Sequence, residues 1–252
     1  NRVGFEVEIA DYLGRELNRE PKFQQVNWSE LPGTLNNKQI RIVLNGYEYT
    51  QQRGEANTCS LPYYVYKLRL IVPAGPNGQP LNRSWDEVLQ PKSDGSLKTV
   101  SVLKGTLAQR FLEDRFADKI VIRATDDVAE MLELLSEGRD IDATVQDSPA
   151  AQFYVTGGRY PKLRVVDQPL GTGLYVILTH PEDQELKRDI DAALRKAFES
   201  GELERILRRY RLWNVDQQRL GYFYSKRGVI QDAEVSDRDD GEKPVVPQLS
   251  MK

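Results

Sequence analysis

The sequence predicts an α/β protein with mostly parallel sheets, and three observations carry that expectation. Segments of helical spacing alternate with β-branched, strand-like runs through residue 72. The same alternation resumes after a stretch rich in Gly, Pro and Asn at 73–95. The length, 252 residues, suits one large domain or two small lobes at ~100–200 residues per domain.

Each element follows from its own local signal. Phe5, Ile9, Tyr12, Leu13 and Leu17 share one face of a helix over 4–18. Residues 22–28 (KFQQVNW) read as a short strand. Ser29 opens a short helix through Leu35, with Pro32 and Gly33 inside it. Ile40 to Leu44 is a β-branched run that ends at the turn dipeptide Asn45-Gly46. A longer strand follows at 63–72 (YYVYKLRLIV), and 73–95 reads as an irregular crossing.

The second unit starts with a strand at 98–103. Gly105-Thr106 opens a helix that carries Leu107, Ala108, Phe111 and Leu112 on one side. A strand is expected at 119–123. Asp126 or Asp127 caps a helix with Val128, Met131, Leu132 and Leu135 inward, stopped by Gly138. Strands at 141–145 and 163–166 flank a helix that Ser148 caps and that runs to Tyr154. The chain then returns through a strand at 174–179 and the longest helical signal, Leu186 to Phe198. Gly201 breaks it, and a second helix runs to about Trp213. After Asn214 the periodicity fades, and 232–243 (DAEVSDRDDGEK) has the composition of a tail or linker.

The scarcities exclude whole classes of chemistry. Cys59 is the single cysteine and His180 the single histidine. An intrachain disulfide, a cysteine-rich zinc site and a CxxC redox pair are therefore excluded. No metal or cofactor is expected. With 35 basic and 38 acidic residues the net charge is −3, which gives no polyanion-binding field and speaks against nucleic acid as a partner. No run of about 18 apolar residues exists to form a transmembrane helix, and residues 1–5 read as folded-domain sequence, not as a signal peptide.

Four segments carry a resemblance. They are GFEVEIADYLGREL (4–17), IVLNGYEYTQQR with SLPYY (42–53 and 60–64), VLKGTLAQRFLED with DIDATVQDSPAAQFYV (102–114 and 140–155), and DIDAALRKAFESGELERILRRYRLW (189–213). In this order and spacing the chain resembles the extracytoplasmic solute-binding proteins of ABC transporters, the polar amino-acid-binding family. The resemblance implies a two-lobed Venus-flytrap fold. Lobe 1 would comprise 1–72 plus 172–214, lobe 2 would comprise 73–171, and 215–252 would be a C-terminal extension or linker. Relatives carry a strand before the GF motif, so a first strand is expected ahead of residue 1. The ligand would lie between lobes, at the carboxyl ends of the strands.

The resemblance also implies function: non-catalytic binding of an amino acid or similar zwitterion on the periplasmic or extracellular side of the membrane. The partner would be an ABC permease, in one reading fused in the same polypeptide. Two alternatives remain open, a flytrap sensory domain of a signalling receptor and a dehydratase-like enzyme on the same fold.

Six residues form the expected site. Arg53 would fork onto the ligand α-carboxylate, because a planar guanidinium makes two parallel charge-assisted hydrogen bonds. Asp147 would take the ammonium from lobe 2, or serve as an N-cap or turn residue before Pro149. Trp28 would pack on the ligand side chain or simply fill the rim. Thr106 would meet the carboxylate at a helix N-terminus, or only cap that helix. Gly46 would offer its carbonyl to the amine, or only form the turn. Glu48 stands where many relatives carry Ser or Thr. Turned inward, it would disfavour an acidic ligand side chain and favour a cationic or neutral one. Arg41 reads as a surface residue, and Leu107 replaces a Thr found in some relatives.

Overall fold

The computed structural model describes residues 2–50 and 58–225. Helix α1 spans Phe5–Glu16 and buries Ile9, Tyr12 and Leu13, the face that its spacing marks. The expected strand at 22–28 does not form. Lys22, Phe23, Gln24 and Gln25 lie exposed, and a strand needs a neighbour for its backbone groups. A 3-10 turn at Trp28–Glu30 leads instead into α2, Leu31–Asn36. Strand β1 is only Ile42–Val43, β2 is Thr58–Cys59, and β3 is the long strand Tyr64–Pro73.

Helix α3, Trp85–Leu89, lies in the stretch expected to be irregular. Its signal was present as Ser84 followed three residues later by Glu87: the Ser84 hydroxyl accepts from the Glu87 N–H at 3.3 Å. Trp85 then packs edge-on against Phe116. Strand β4 is Thr99–Leu103, α4 is Leu107–Phe116, β5 is Val121–Thr125 and α5 is Val128–Ser136. Strand β6, Ala143–Asp147, runs into the single turn α6, Ser148–Ala151, and a π-turn at Gln152–Thr156. The cap here is Asp147, not Ser148: its carboxylate accepts from the Ala150 N–H at 3.0 Å. Strands β7 (Leu163–Val165), β8 (Gly171–Tyr175) and β9 (Leu178–Thr179) follow. Helices α7 (Gln184–Glu199) and α8 (Glu202–Arg209) come next.

The elements form two sheets, each with its own helices. A three-stranded sheet of order β1-β9-β2 is wholly antiparallel. Helices α1, α2, α7 and α8 belong to it. A six-stranded sheet has the order β5-β4-β6-β3-β7, with β8 also on β3. Helices α4, α5 and α6 cover it. The expectation of mostly parallel sheets is corrected here: parallel pairing occurs only in β4–β5 and β4–β6, and the remaining pairs are antiparallel. Helical crossovers enforce parallel pairing between β4, β5 and β6. The long β3 runs the opposite way, so everything bonded to it is antiparallel.

Strand β3 ties the two parts together. Its first half, Tyr64 to Leu68, pairs with β8, and its second half pairs with β6 and β7. Tyr64, Val65, Tyr66, Leu68 and Leu70 are buried in one continuous core. The free side of Val65 is satisfied by a side chain: Gln217 accepts from the Val65 N–H at 2.9 Å and donates to its carbonyl at 2.8 Å. Gln217 belongs to a 3-10 turn, Val215–Arg219, which leads into α9, Leu220–Tyr224. Tyr224 donates to the Pro62 carbonyl at 2.7 Å. Residues 215–225 of the expected extension are therefore packed onto the fold. Their polar spacing hid this, because the docking residue is a glutamine.

Candidate functional site

The site is built where α1, the turn after β1, β3, β6 and β8 converge. Glu6 lies in the first turn of α1. Its carboxylate accepts from the Gly46 N–H and from the Tyr63 hydroxyl, and Tyr63 also lies 3.1 Å from the Gly46 nitrogen. Gly46 has φ +59°, which a glycine adopts without strain. The space is also tight for a side chain: a Cβ there would lie 3.3 Å from the Tyr175 ring.

Asp147 ends β6, opposite Leu68 of β3. One of its oxygens accepts from the Tyr175 hydroxyl and the other caps α6 through the Ala150 N–H. Tyr175 ends β8 opposite Tyr64, and its ring stacks on Tyr66 at 4.8 Å and lies 6.0 Å from Tyr63. Two carboxylate–tyrosine pairs, Glu6 with Tyr63 and Asp147 with Tyr175, thus sit side by side around Gly46.

Electrostatics follow from that crowding. Burial pushes the Glu6 carboxyl up to about 7, against the opposing pull of its Tyr63 and Gly46 hydrogen bonds, and the charge on Asp147 pushes it further up. Burial raises Asp147 as well, offset by Tyr175 and the Ala150 N–H. Both tyrosine hydroxyls are held protonated by burial and by their carboxylate partners. Such a place disfavours its own negative charge and rewards an incoming cation.

This predicts a pH dependence of the unliganded chain. An ordinary Glu carboxyl titrates near 4.5, and Glu6 is raised to about 7. Between those values the folded chain keeps a proton that the unfolded chain has released, so stability falls as pH rises and levels off above. The contribution is up to about 3 kcal/mol, from ~1.4 kcal/mol per unit. Melting temperature measured from pH 5 to pH 8 should decline, and Glu6→Gln should flatten the decline. An equal slope in the two proteins would refute this assignment.

Glu48 turns inward and is 3% exposed. It pairs with Tyr175 as an antiparallel bridge, flanked by the Tyr49 N–H on the Leu174 carbonyl at 2.8 Å and the Val176 N–H on the Tyr47 carbonyl at 2.9 Å. Its carboxylate crosses to the other sheet's helix and accepts from the Leu107 N–H at 2.9 Å. Thr106 is the N-cap of that helix. Its hydroxyl accepts from the Gln109 N–H at 3.3 Å and donates to the Leu103 carbonyl at 2.7 Å. Trp28 is half-buried against Tyr47, with ring centroids 5.2 Å apart, and a Cβ added at Gly105, just before α4, would lie 3.8 Å from its ring.

Of the six expected residues, Gly46, Glu48, Asp147, Thr106 and Trp28 gather in this region, and Arg53 lies outside the described residues. Arg41 is a surface residue, paired with Asp183 at 2.6 Å. Sequence reading missed Glu6, Tyr63 and Tyr175. Glu6 was visible inside the GFEVE motif, but acidic residues in a first helical turn are ordinary. The tyrosines were read only as strand formers. Among the described residues no group of three or more His, Cys, Asp and Glu is arranged to hold a metal.

Known proteins share this architecture. A family model for bacterial extracellular solute-binding proteins, family 3, matches residues 1–212. The chain is 25% identical over 212 residues to the probable histidine-binding protein of Neisseria gonorrhoeae, covering 83% of this chain and 75% of that one. It is 24% identical over 215 residues to the arginine-binding extracellular protein ArtP of Bacillus subtilis, covering 83% and 78%. A crystal structure of a mutant of ArgBP from T. maritima superposes with a TM-score of 0.72 at 26% identity, covering 83% of this chain and 86% of that one.

Proposed function

The chain belongs to the bacterial extracellular solute-binding proteins, family 3, and from that premise we propose that it captures an amino acid between its two lobes for an ABC permease. The supporting observation is the pairing of Asp147 with Tyr175 beside Glu6 and Gly46, which places two carboxyl groups together where an ammonium group would be stabilised. Asp147 takes the ligand ammonium, helped by the Gly46 carbonyl. Arg53 holds the α-carboxylate from lobe 1, and Trp28 packs on the ligand side chain. Thr106 fixes the end of α4 as its cap. The lobes are 1–72 with 172–214, and 73–171. A ligand touching both favours the closed arrangement by its differential contacts.

The role is binding, not catalysis. The relatives named above are binding proteins, and the paired carboxylates and tyrosines suit the ammonium end of a zwitterion. A thermal-shift screen with the twenty amino acids tests the proposal. At 100 times its Kd the right ligand adds about 2.7 kcal/mol of stability. No shift with any of them would overturn the proposal. Arg53→Ala should erase the shift, and normal binding by that variant would remove Arg53 from the site.

A further inference from the structure

We propose that the chain carries a second ligand site, on the face of β3 turned away from Asp147, that binds a small monocarboxylate through Arg69. The site is separate from the amino-acid site above and does not rest on it. Successive side chains of a strand point to opposite faces. Tyr64 and Leu68 share one face of β3, with Tyr175 and Asp147 as their partners across the strands. Val65, Lys67 and Arg69 project from the other face, where they line a recess of about 550 Å3. That volume lies within the range of small-molecule sites, roughly 300–1,000 Å3. Residues of α6 and the π-turn form one part of its wall, and Asn214 and Asp216, just before Gln217, form another.

Three basic side chains line the recess, and two are already engaged. Lys67 pairs with Asp216 at 3.2 Å. Arg164 donates to the carbonyls of Gly78, Pro161 and Leu163 at 2.6 to 2.7 Å. Arg69 is half-buried and, among the described residues, has neither a hydrogen bond nor an ion pair. Its guanidinium carries five N–H donors in a planar fork that matches a carboxylate. The acids of the lining, Asp167 and Asp216, offset two of the three positive charges. One positive charge is left, which suits a single negative charge and disfavours a dianion. Beside Arg69 the lining is apolar, from Val65, Ala151, Val155, Leu163 and Val165. The occupant is thus a carboxylate with a compact apolar body.

Calorimetric titration of the full chain at low ionic strength tests the site, using benzoate, its neutral counterpart benzamide, acetate and inorganic phosphate. Benzoate should bind. Benzamide should bind at least about tenfold more weakly for want of the charge, and acetate likewise for want of the apolar body. Phosphate should bind no better than acetate. Arg69→Gln should weaken benzoate by about ten- to 100-fold. Arg69→Lys keeps the charge without the fork and should weaken it less. Thr156→Trp crowds the lining from an exposed position and should also weaken it. Circular dichroism verifies that the variants fold. The contrasting variant is Arg53→Ala, which removes the carboxylate contact proposed for the amino-acid site. Loss of benzoate binding there, with Arg69→Gln unaffected, would place benzoate in the amino-acid site and overturn the inference. So would no binding of benzoate, equal binding of benzamide, or tighter binding of phosphate. The amino-acid-binding reading stands or falls separately, by its own thermal-shift screen.

Discussion

Replacing Asp147 with asparagine is expected to abolish ligand-induced stabilisation while leaving the unliganded chain at least as stable as its parent. The two effects have one cause. In the folded chain the Asp147 carboxylate is desolvated beside Glu6, and its pKa is raised. Without a cation its charge is a burden. Asparagine removes the charge and keeps its oxygen as a good cap for the Ala150 N–H, while its amide N–H donates to the Tyr175 hydroxyl oxygen, which accepts as well as donates. With ligand the ledger reverses. Loss of a desolvated partner to an ammonium costs about 2–5 kcal/mol, roughly 30-fold to several thousandfold in affinity. The amide also turns an N–H donor toward the amine. Asp147→Ala should lose binding too, and additionally about 1 kcal/mol of stability with the cap. Thermal melts with and without ligand measure both quantities. Retained binding in Asp147→Asn would remove Asp147 from the ammonium site.

Gly173→Ala is expected to destabilise the chain by about 2–3 kcal/mol, the upper part of the range for overpacking. Gly173 lies opposite Tyr66 in the β3–β8 pair. A Cβ there would lie 2.3 Å from the Tyr66 hydroxyl oxygen and 2.4 Å from Cζ, well inside contact distance. Tyr66 has nowhere to retreat, being fully buried and stacked on Tyr175. The strain would pass to Tyr175, the partner of Asp147, so ligand affinity should fall along with stability. For a chain of this size the melting temperature should drop by about 4–12 °C. Tyr66→Leu shrinks the obstacle and should make the double variant less unstable than the two single changes summed. Strict additivity would show that the tyrosine is not what excludes a side chain at Gly173.

Local rules accounted for much of the fold. Helix α1 follows its apolar spacing, and α4 and α5 begin at the capping residues Thr106 and Asp127. Strand β3 follows its apolar and aromatic run, interrupted only by Lys67 and Arg69. The failures also have physical reasons. Residues 22–28 alternate like a strand but lie outside the sheets, with 22–25 exposed, and alternation says nothing about whether a neighbour exists. Gln217 looks like a loop residue, yet it replaces a strand for Val65. The expected site was legible as residue types: an acid at the end of β6, a glycine turn after β1, a threonine before α4. The tyrosine partners were not, since a tyrosine in a strand says nothing about where its hydroxyl ends.

The sequence alone thus determined the α/β class, most helices with two of their caps, and the membership signalled by its ordered motifs, because these depend on neighbours a few positions apart. Tertiary structure alone decided that the pairing is mixed and that Glu6 meets Tyr63 across 57 positions. It also decided that Asp147 meets Tyr175 across 28, and that Glu48 reaches the α4 N-terminus across 59. Those partnerships set the electrostatics around Gly46. They exist only once β3 runs from one sheet's neighbourhood into the other and carries the two halves of the site together.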